Sequence, residues 1–280
     1  MKDKYESFLK KDCDRYDRQG FIAWLQEEER SENTIANYVK AVDLFFEQEP
    51  DFTKAAILRF KQSLIERVSP KTVNNRICGI CAYADWIGIP MKIKRLKIQK
   101  KTFVENVISQ AQYEQLLARL KRDENEKWYI LVKFLACTGA RISELIQFKK
   151  KHLLAGEMEL YTKGKIRTIY IPESLIHECE EYFENLNPDD YLFISKIGKQ
   201  MTTRGISEML LKFSERYQIP KNVMHPHSFR HRFAINFLKN NNDISLLADL
   251  LGHSGVNTTM IYLRKSKEEQ RTAIDSAVNW

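Results

Sequence analysis

Apolar residues recur at i, i+3, i+4 and i+7 along most of this chain, and over residues 157–172 that period gives way to alternation. The first period lines one stripe of a helix and the second one face of a strand, so a segment patterned for one buries poorly as the other. FIAWLQEEE, SENTIANYVKAVDLFFEQE, TKAAILRFKQSLIER and SPKTVNNRICGICAYADWIG read as four helices within residues 16–89. Ser31 and Ser69 stand where N-caps are wanted, Pro70 occupies a first helical position, and Gly88 and Pro90 stop the last helix. Further on, ISQAQYEQLLARLKRD and EKWYILVKFLACTGARISELIQF are helical, the second interrupted near Gly139, and helices follow around 173–186, 202–217, 227–239 and 244–251. EMELY and RTIYIP alternate, with Lys163-Gly164-Lys165 as the turn between them. The expected fold is mainly α: an all-α domain over residues 1–90, a linker over 91–101, and an α-rich domain over 102–280 carrying a small antiparallel β-hairpin.

That linker is basic. MKIKRLKIQKK holds Lys92, Lys94, Arg95, Lys97, Lys100 and Lys101 and no acid, whereas residues 1–90 are balanced at 14 Lys/Arg against 15 Asp/Glu. Concentrated positive charge of this kind suits a strand of phosphates, whose counterions it would release. No apolar run approaches the roughly 20 residues that span a bilayer. The first residues, MKDKYESFLKKDCDRYDRQG, lack the apolar core of a secretion signal, so a cytoplasmic protein without membrane association is expected. Five cysteines without repeated spacing fit that compartment. Cys78 and Cys81 form a CxxC, but it lies in an apolar helical pattern with no second pair to complete four ligands, so they read as core residues and no metal site is expected.

Several polar residues sit where chemistry is possible. Arg141 follows Thr138-Gly139-Ala140 at a helix start, with Glu144 one turn on to orient its guanidinium while the planar fork stays open to two phosphate oxygens. Pro226 suits a first helical position, which puts His227 and Arg230 together at the positive end of a helix. Gly252 reads as the C-cap of DISLLADLL, and His253 comes off that end. A further helix, opened by Thr258 and Thr259 with Asn257 as its cap, carries Tyr262 about one turn in, and Tyr262 is the candidate nucleophile. Lys163 lies at the hairpin tip, with Lys165 and Arg167 close enough to compete for its role. Each of these features alone is ordinary; their order is not.

The motifs TGARISEL, TKGK, HPHSFRH and LGHSGVNTTMIY, in this order and spacing, resemble the tyrosine site-specific recombinases, the phage integrase family. The resemblance covers nearly the whole chain, because SENTIANYVKAVDLFF and SPKTVNNRICGICAYADWI also look like that family's core-binding domain. It implies a SAM-like N-terminal core-binding domain and a catalytic domain of the DNA breaking-rejoining fold, together clamping duplex DNA. Arg141 and Arg230 would grip the scissile phosphate, His253 would hydrogen-bond it, and Tyr262 would attack it to leave a 3′-phosphotyrosyl link. Lys163 would give a proton to the departing 5′-oxygen, His227 would assist proton transfer at the tyrosine, and Glu144 would support the site. Lys92, Lys94, Arg95, Lys97, Lys100, Lys101, Lys165 and Arg167 would contact DNA. No cofactor, metal or ATP is implied, since arginines supply the positive charge and the phosphotyrosine conserves the bond energy.

The stretch before the first core helix is too short for the separate arm-type DNA-binding domain of some integrases, which points to a simple recombinase acting on short inverted core sites, with a minimal integrase as the alternative, and the resemblance implies a tetramer assembled on those sites. The tail LRKSKEEQRTAIDSAVNW, with apolar Ile274, Val278 and Trp280, packs either on a neighbouring copy or on its own domain. Two alternatives remain on sequence grounds: a type IB topoisomerase that relaxes DNA without strand exchange, and a DNA-binding regulator of the same fold that has lost catalysis.

Overall fold

A computed structural model describes residues 16–98, 104–162, 165–253, 255–263 and 267–278. The chain divides into two compact units, residues 1–100 and 101–280.

The first unit is built from α1 (Arg18–Glu27), α2 (Glu32–Gln48), α3 (Lys54–Arg67) and α4 (Pro70–Trp86). Each helix starts on a side-chain cap: Asp17, Ser31, Thr53 and Ser69 accept from the amides of Gly20, Thr34, Ala56 and Thr72. The apolar stripes meet in a core centred on Phe21, Phe45, Phe60, Ile35, Ile57 and Ile77, where Tyr83 lies edge-on to Phe21, Phe46 and Phe52. At Gly79 α4 runs against α2 so closely that a Cβ there would stand 2.9 Å from Tyr38 Cα. The basic stretch, as far as residue 98, docks on this unit. Met91, Ile93 and Leu96 pack on the core, and the Asn74 side chain accepts from the Leu96 amide at 2.8 Å and donates to its carbonyl at 3.0 Å. Lys92, Lys94, Arg95 and Lys97 face solvent; Lys100 and Lys101 lie outside the described residues.

The second unit contains α5 (Gln110–Arg122), α6 (Glu126–Thr138), α7 (Ile142–Leu145), α8 (Lys150–Ala155), β1 (Glu157–Thr162), β2 (Lys165–Tyr170), α9 (Glu173–Cys179), α10 (Thr203–Tyr217), α11 (Pro226–Asn240), α12 (Ile244–Leu251), α13 (Val256–Thr259) and α14 (Lys267–Ala277). Its core forms around α6, whose Ile130, Leu131, Val132, Phe134 and Leu135 are all buried. Phe148, Phe183, Phe193 and Phe229 close around it. A smaller apolar cluster joins Ala234 and Leu238 of α11 to Leu247 and Leu251 of α12, and Phe233, Phe237 and Tyr262 pack against it.

The two strands pair antiparallel from Glu157↔Tyr170 to Thr162↔Lys165, with Met158 and Ile169 turned inward. The mainly helical architecture with this one small sheet is the expected fold class. Local details differ. Lys165 belongs to β2 and not to the turn, and the stretch expected to be helical to Phe148 ends at Leu145. The next helix, α8, is a six-residue segment that buries only Leu153, too short for a periodic pattern. The helix expected to reach 186 stops at Cys179 and passes into a 3₁₀ turn over Glu181–Phe183. Val256 opens α13 with Gly255 as its N-cap, so Asn257 lies inside the helix and does not cap it.

Candidate active site

The site grows from two glycines in the left-handed conformation. Gly139, at φ +61°, ends α6, and a Cβ there would meet Phe233 Cδ1 at 2.5 Å, so both backbone and space demand glycine. The chain then re-enters a helix with Arg141 as N-cap of α7. The Glu144 carboxylate reaches back to accept the Arg141 amide at 2.7 Å and also takes Nη1 of Arg141 at 2.7 Å. Gly252, at φ +59°, closes α12 in the same way.

At that closure three arginines converge. The last carbonyls of α12 and its cap each accept from a different one: Leu250 from Arg167 (Nε 3.0 Å, Nη2 2.7 Å), Leu251 from Nη2 of Arg230, and Gly252 from Nη2 of Arg141 at 3.0 Å. Carbonyls at a helix C-terminus are unpaired and carry the negative end of its dipole, so cations belong there. Glu144 joins the group from the other side, accepting Nη1 of Arg167 at 2.5 and 2.6 Å. Burial pushes the Glu144 pKa up, but the Arg141 amide, the Arg167 charge and the side-chain hydrogen bonds from both arginines outweigh it and hold it below the usual carboxylate value. Arg230 is 2% exposed and donates Nη1 to the Gly139 carbonyl at 2.7 Å. Burial and the charges of Arg141 and Arg167 bring its pKa down to about 9. Three guanidinium groups against one carboxylate leave a net positive site, and Arg141 is its most exposed cation. A cleft of about 980 Å³ lined by Arg141, Ser143, Tyr161, Arg167, Gly252 and His253 opens beside it.

His253 follows the cap, and its Nδ1 meets Oγ1 of the buried Thr259 at 2.8 Å. Burial, reinforced by Arg230, Arg141 and Arg167, lowers its pKa to about 4, so it is uncharged at neutral pH. Tyr262 sits in a 3₁₀ turn, Met260–Tyr262, directly after α13. Burial raises its pKa while the charges of Arg230 and Arg141 oppose that rise.

Its hydroxyl lies 2.8 Å from Nδ1 of His231, a residue the sequence reading did not single out. The available signal was positional: His231 follows Arg230 and stands four residues after His227, on the same helix face. The exposed His227 ring stacks on His231 at 5.8 Å between centroids.

The structure thus gathers Arg141, Glu144, Arg230 and His253 at the end of α12, and places Tyr262 within electrostatic reach of Arg230 and Arg141. Arg167 requires a correction. Expected among the DNA contacts, it is 8% exposed and spends its Nε, Nη1 and Nη2 on Glu144 and the Leu250 carbonyl, because its β2 position points to the same side as buried Ile169. Lys163 lies outside the described residues, and of Lys165 only the backbone is described.

Residues 106–269 match the model of the phage integrase family. The tyrosine recombinase XerA of Pyrococcus furiosus is 28% identical over 268 residues, which is 92% of this chain and 92% of that protein. Among solved structures, a XerA recombinase shares 25% identity with a TM-score of 0.53, covering 94% of this chain and 98% of that one. The Tn1549 transposon integrase in complex with transposon right-end DNA has the same fold, with a TM-score of 0.69, 17% identity and coverage of 94% and 99%.

Proposed function

The chain belongs to the phage integrase family, and from that premise we propose how its residues carry out site-specific DNA recombination, in which strands are cut and rejoined through a tyrosine. A scissile phosphodiester enters beside Arg141 and Arg230. Both guanidinium groups are already fixed by main-chain carbonyls, so they meet the charge of the pentacoordinate transition state without reorganising. Glu144 and the buried Arg167 hold Arg141 in place. His253, neutral and oriented by Thr259, donates a hydrogen bond to the same phosphate, with His227 beside it at the open end of α11. Tyr262 attacks, the 3′-phosphate stays on the enzyme, and Lys163 protonates the departing 5′-oxygen. In the reverse step the 5′-hydroxyl of a partner strand displaces the tyrosine, so the bond energy is kept.

The observation that carries this reading is the convergence of Arg141, Arg230 and Arg167 on the three consecutive carbonyls at the end of α12, one residue before His253. Double-stranded DNA is the partner, and the solvent-facing Lys92, Lys94, Arg95 and Lys97 of the docked basic stretch supply phosphate contacts. Short inverted core sites with a tetramer assembled on them complete the proposal. In its support, Ile274 and Val278 of the tail are 61% and 49% exposed, an apolar surface that a second copy would cover. Relaxation without exchange and a silent regulator are not favoured, since the relatives carry recombinase names.

The test uses a duplex site selected from random DNA by binding to the protein, nicked so that cleavage releases a short fragment. The wild type forms a covalent protein–DNA adduct and Tyr262→Phe forms none. An adduct that persists in Tyr262→Phe, or relaxation of supercoiled plasmid without any exchange between two sites, would refute the proposal.

A further inference from the structure

Resemblance gives His227 the handling of the tyrosine's proton, yet a different ring touches the hydroxyl. We infer that His231 is the group that takes the phenolic proton from Tyr262 as it attacks and returns it when the tyrosine leaves. This rests on the reading of Tyr262 as nucleophile and adds to it a residue in direct contact with the reacting oxygen.

Geometry decides between the two histidines. His231 Nδ1 stands 2.8 Å from the Tyr262 hydroxyl, inside the range in which a general base works. The rings of His231 and Tyr262 are tilted at 53° with centroids 5.6 Å apart, so the hydroxyl meets the edge of the imidazole and not its face. His227 lies a helix turn earlier, is exposed, and stacks on the His231 ring. Two elements fix the contact. His231 comes from α11, and Tyr262 is carried to it by the turn that packs against Ala234, Leu238, Leu247 and Leu251.

The surroundings of His231 explain how such a base stays idle until DNA arrives. It is half-buried, and that burial, with the charges of His227, of His225 at the cap of α11, of Arg230 and of His253 after α12, brings its pKa to about 4. At neutral pH the imidazole is therefore uncharged. With its proton on Nε2, Nδ1 presents a lone pair to the phenol. A base this weak does not deprotonate a tyrosine whose own pKa is raised. A bound phosphodiester places a negative charge beside Arg230, offsetting a like charge that depresses His231, and lowers the cost of the imidazolium at the moment it is needed. In the step itself the O–H bond of Tyr262 breaks and the proton moves to Nδ1. The phenolate oxygen forms the bond to phosphorus, and the P–O5′ bond breaks with its electrons on the 5′-oxygen, which Lys163 protonates. On rejoining, the 5′-hydroxyl returns its proton to Lys163 as it attacks phosphorus, the P–O bond to the tyrosine breaks, and His231 gives its proton back to the phenolate.

Two versions of the selected, nicked duplex test this: one with an ordinary scissile phosphate, the other with sulfur bridging at the 5′ position, which leaves without needing a proton. His231→Gln keeps a polar group near the hydroxyl but cannot accept the proton. It is expected to slow single-turnover adduct formation at least about 100-fold on both duplexes, while its DNA affinity stays at the wild-type value. Lys163→Ala is expected to be rescued by the sulfur duplex. In the wild type, cleavage of the sulfur duplex should hold level from about pH 8 to about 6 and fall as pH drops towards 4, where the base becomes protonated. Undiminished cleavage by H231Q, rescue of H231Q by sulfur, a flat wild-type pH profile, or loss of cleavage on the sulfur duplex in His227→Gln but not in H231Q would each overturn the assignment. Failure of the wild type to form any adduct would instead sink the tyrosine mechanism itself.

Discussion

Replacing Arg167 by Ala separates a structural arginine from a DNA contact. The substitution removes a guanidinium 8% exposed that gives Nη1 to Glu144 at 2.5 and 2.6 Å and Nε and Nη2 to the Leu250 carbonyl at 3.0 and 2.7 Å. Removing one partner of a buried ion pair costs about 3–5 kcal/mol, chiefly because the other charge stays behind without compensation. Here Glu144 keeps the amide and Nη1 of Arg141, so the lower end, about 3 kcal/mol, is expected. For a unit of this size each kcal/mol moves the melting temperature by about 2–4 °C, which gives a fall of about 6–12 °C. The assay is thermal unfolding of the full chain followed by circular dichroism, alongside DNA affinity measured at several salt concentrations. Arg167→Lys should fall between wild type and R167A, since an ammonium restores the charge but not the fork. A melting temperature within about 1 °C of wild type, together with weaker DNA binding and a shallower salt dependence, would refute the reasoning and return Arg167 to the DNA-contact set.

Gly252→Ala forces an L side chain into φ +59° with its Cβ 2.3 Å from Arg167 Cδ; we expect a loss of about 1–3 kcal/mol in denaturant unfolding and weaker cleavage. His231 and His253 have folded pKa values of about 4, below the unfolded value of about 6.5, so their contribution to stability is full above about pH 6.5 and is lost as pH falls towards 4. The melting temperature should therefore drop between pH 7 and pH 5, and less so in His253→Gln. Changing Lys92, Lys94, Arg95 and Lys97 together to Ala should leave the melting temperature unchanged. It should also flatten the slope of log affinity against log salt by up to about 3–4, because all four face solvent.

Much of this molecule is legible in its sequence for identifiable reasons. The first unit declares itself through four apolar stripes, each opened by a capping Asp, Ser or Thr, because helix formation and burial there follow from neighbours along the chain. Gly252 as C-cap and Pro226 as first helical residue were readable on the same local grounds. What escaped depends on contacts between distant segments. His231 is defined by a tyrosine 31 positions later, and nothing around HPHSFRH indicates which of three histidines it will meet. Arg167 carried a warning, since it alternates in phase with Ile169 on β2, but a charged residue in a hairpin is ordinarily solvated, and it is the distant Glu144 carboxylate and Leu250 carbonyl that make burial tolerable. The basic stretch reads as a tether by charge, yet Met91, Ile93 and Leu96 find a groove on the first core that no local pattern discloses.

The end of α12 has a consequence for how this protein can change. Its three arginines are tied to that helix through the carbonyls of Leu250, Leu251 and Gly252, which every residue type possesses, and not through its side chains. The outward positions of that helix, Leu246 and Asp249 among them, are thus free to vary without loosening its hold on the arginines. The helix's length is not free: one residue added or removed would rotate the carbonyls by about 100° and break their contacts to all three arginines at once. Substitution should be forgiven along α12 and insertion or deletion should not, a tolerance pattern that a library of single-residue changes and single-residue indels would display directly.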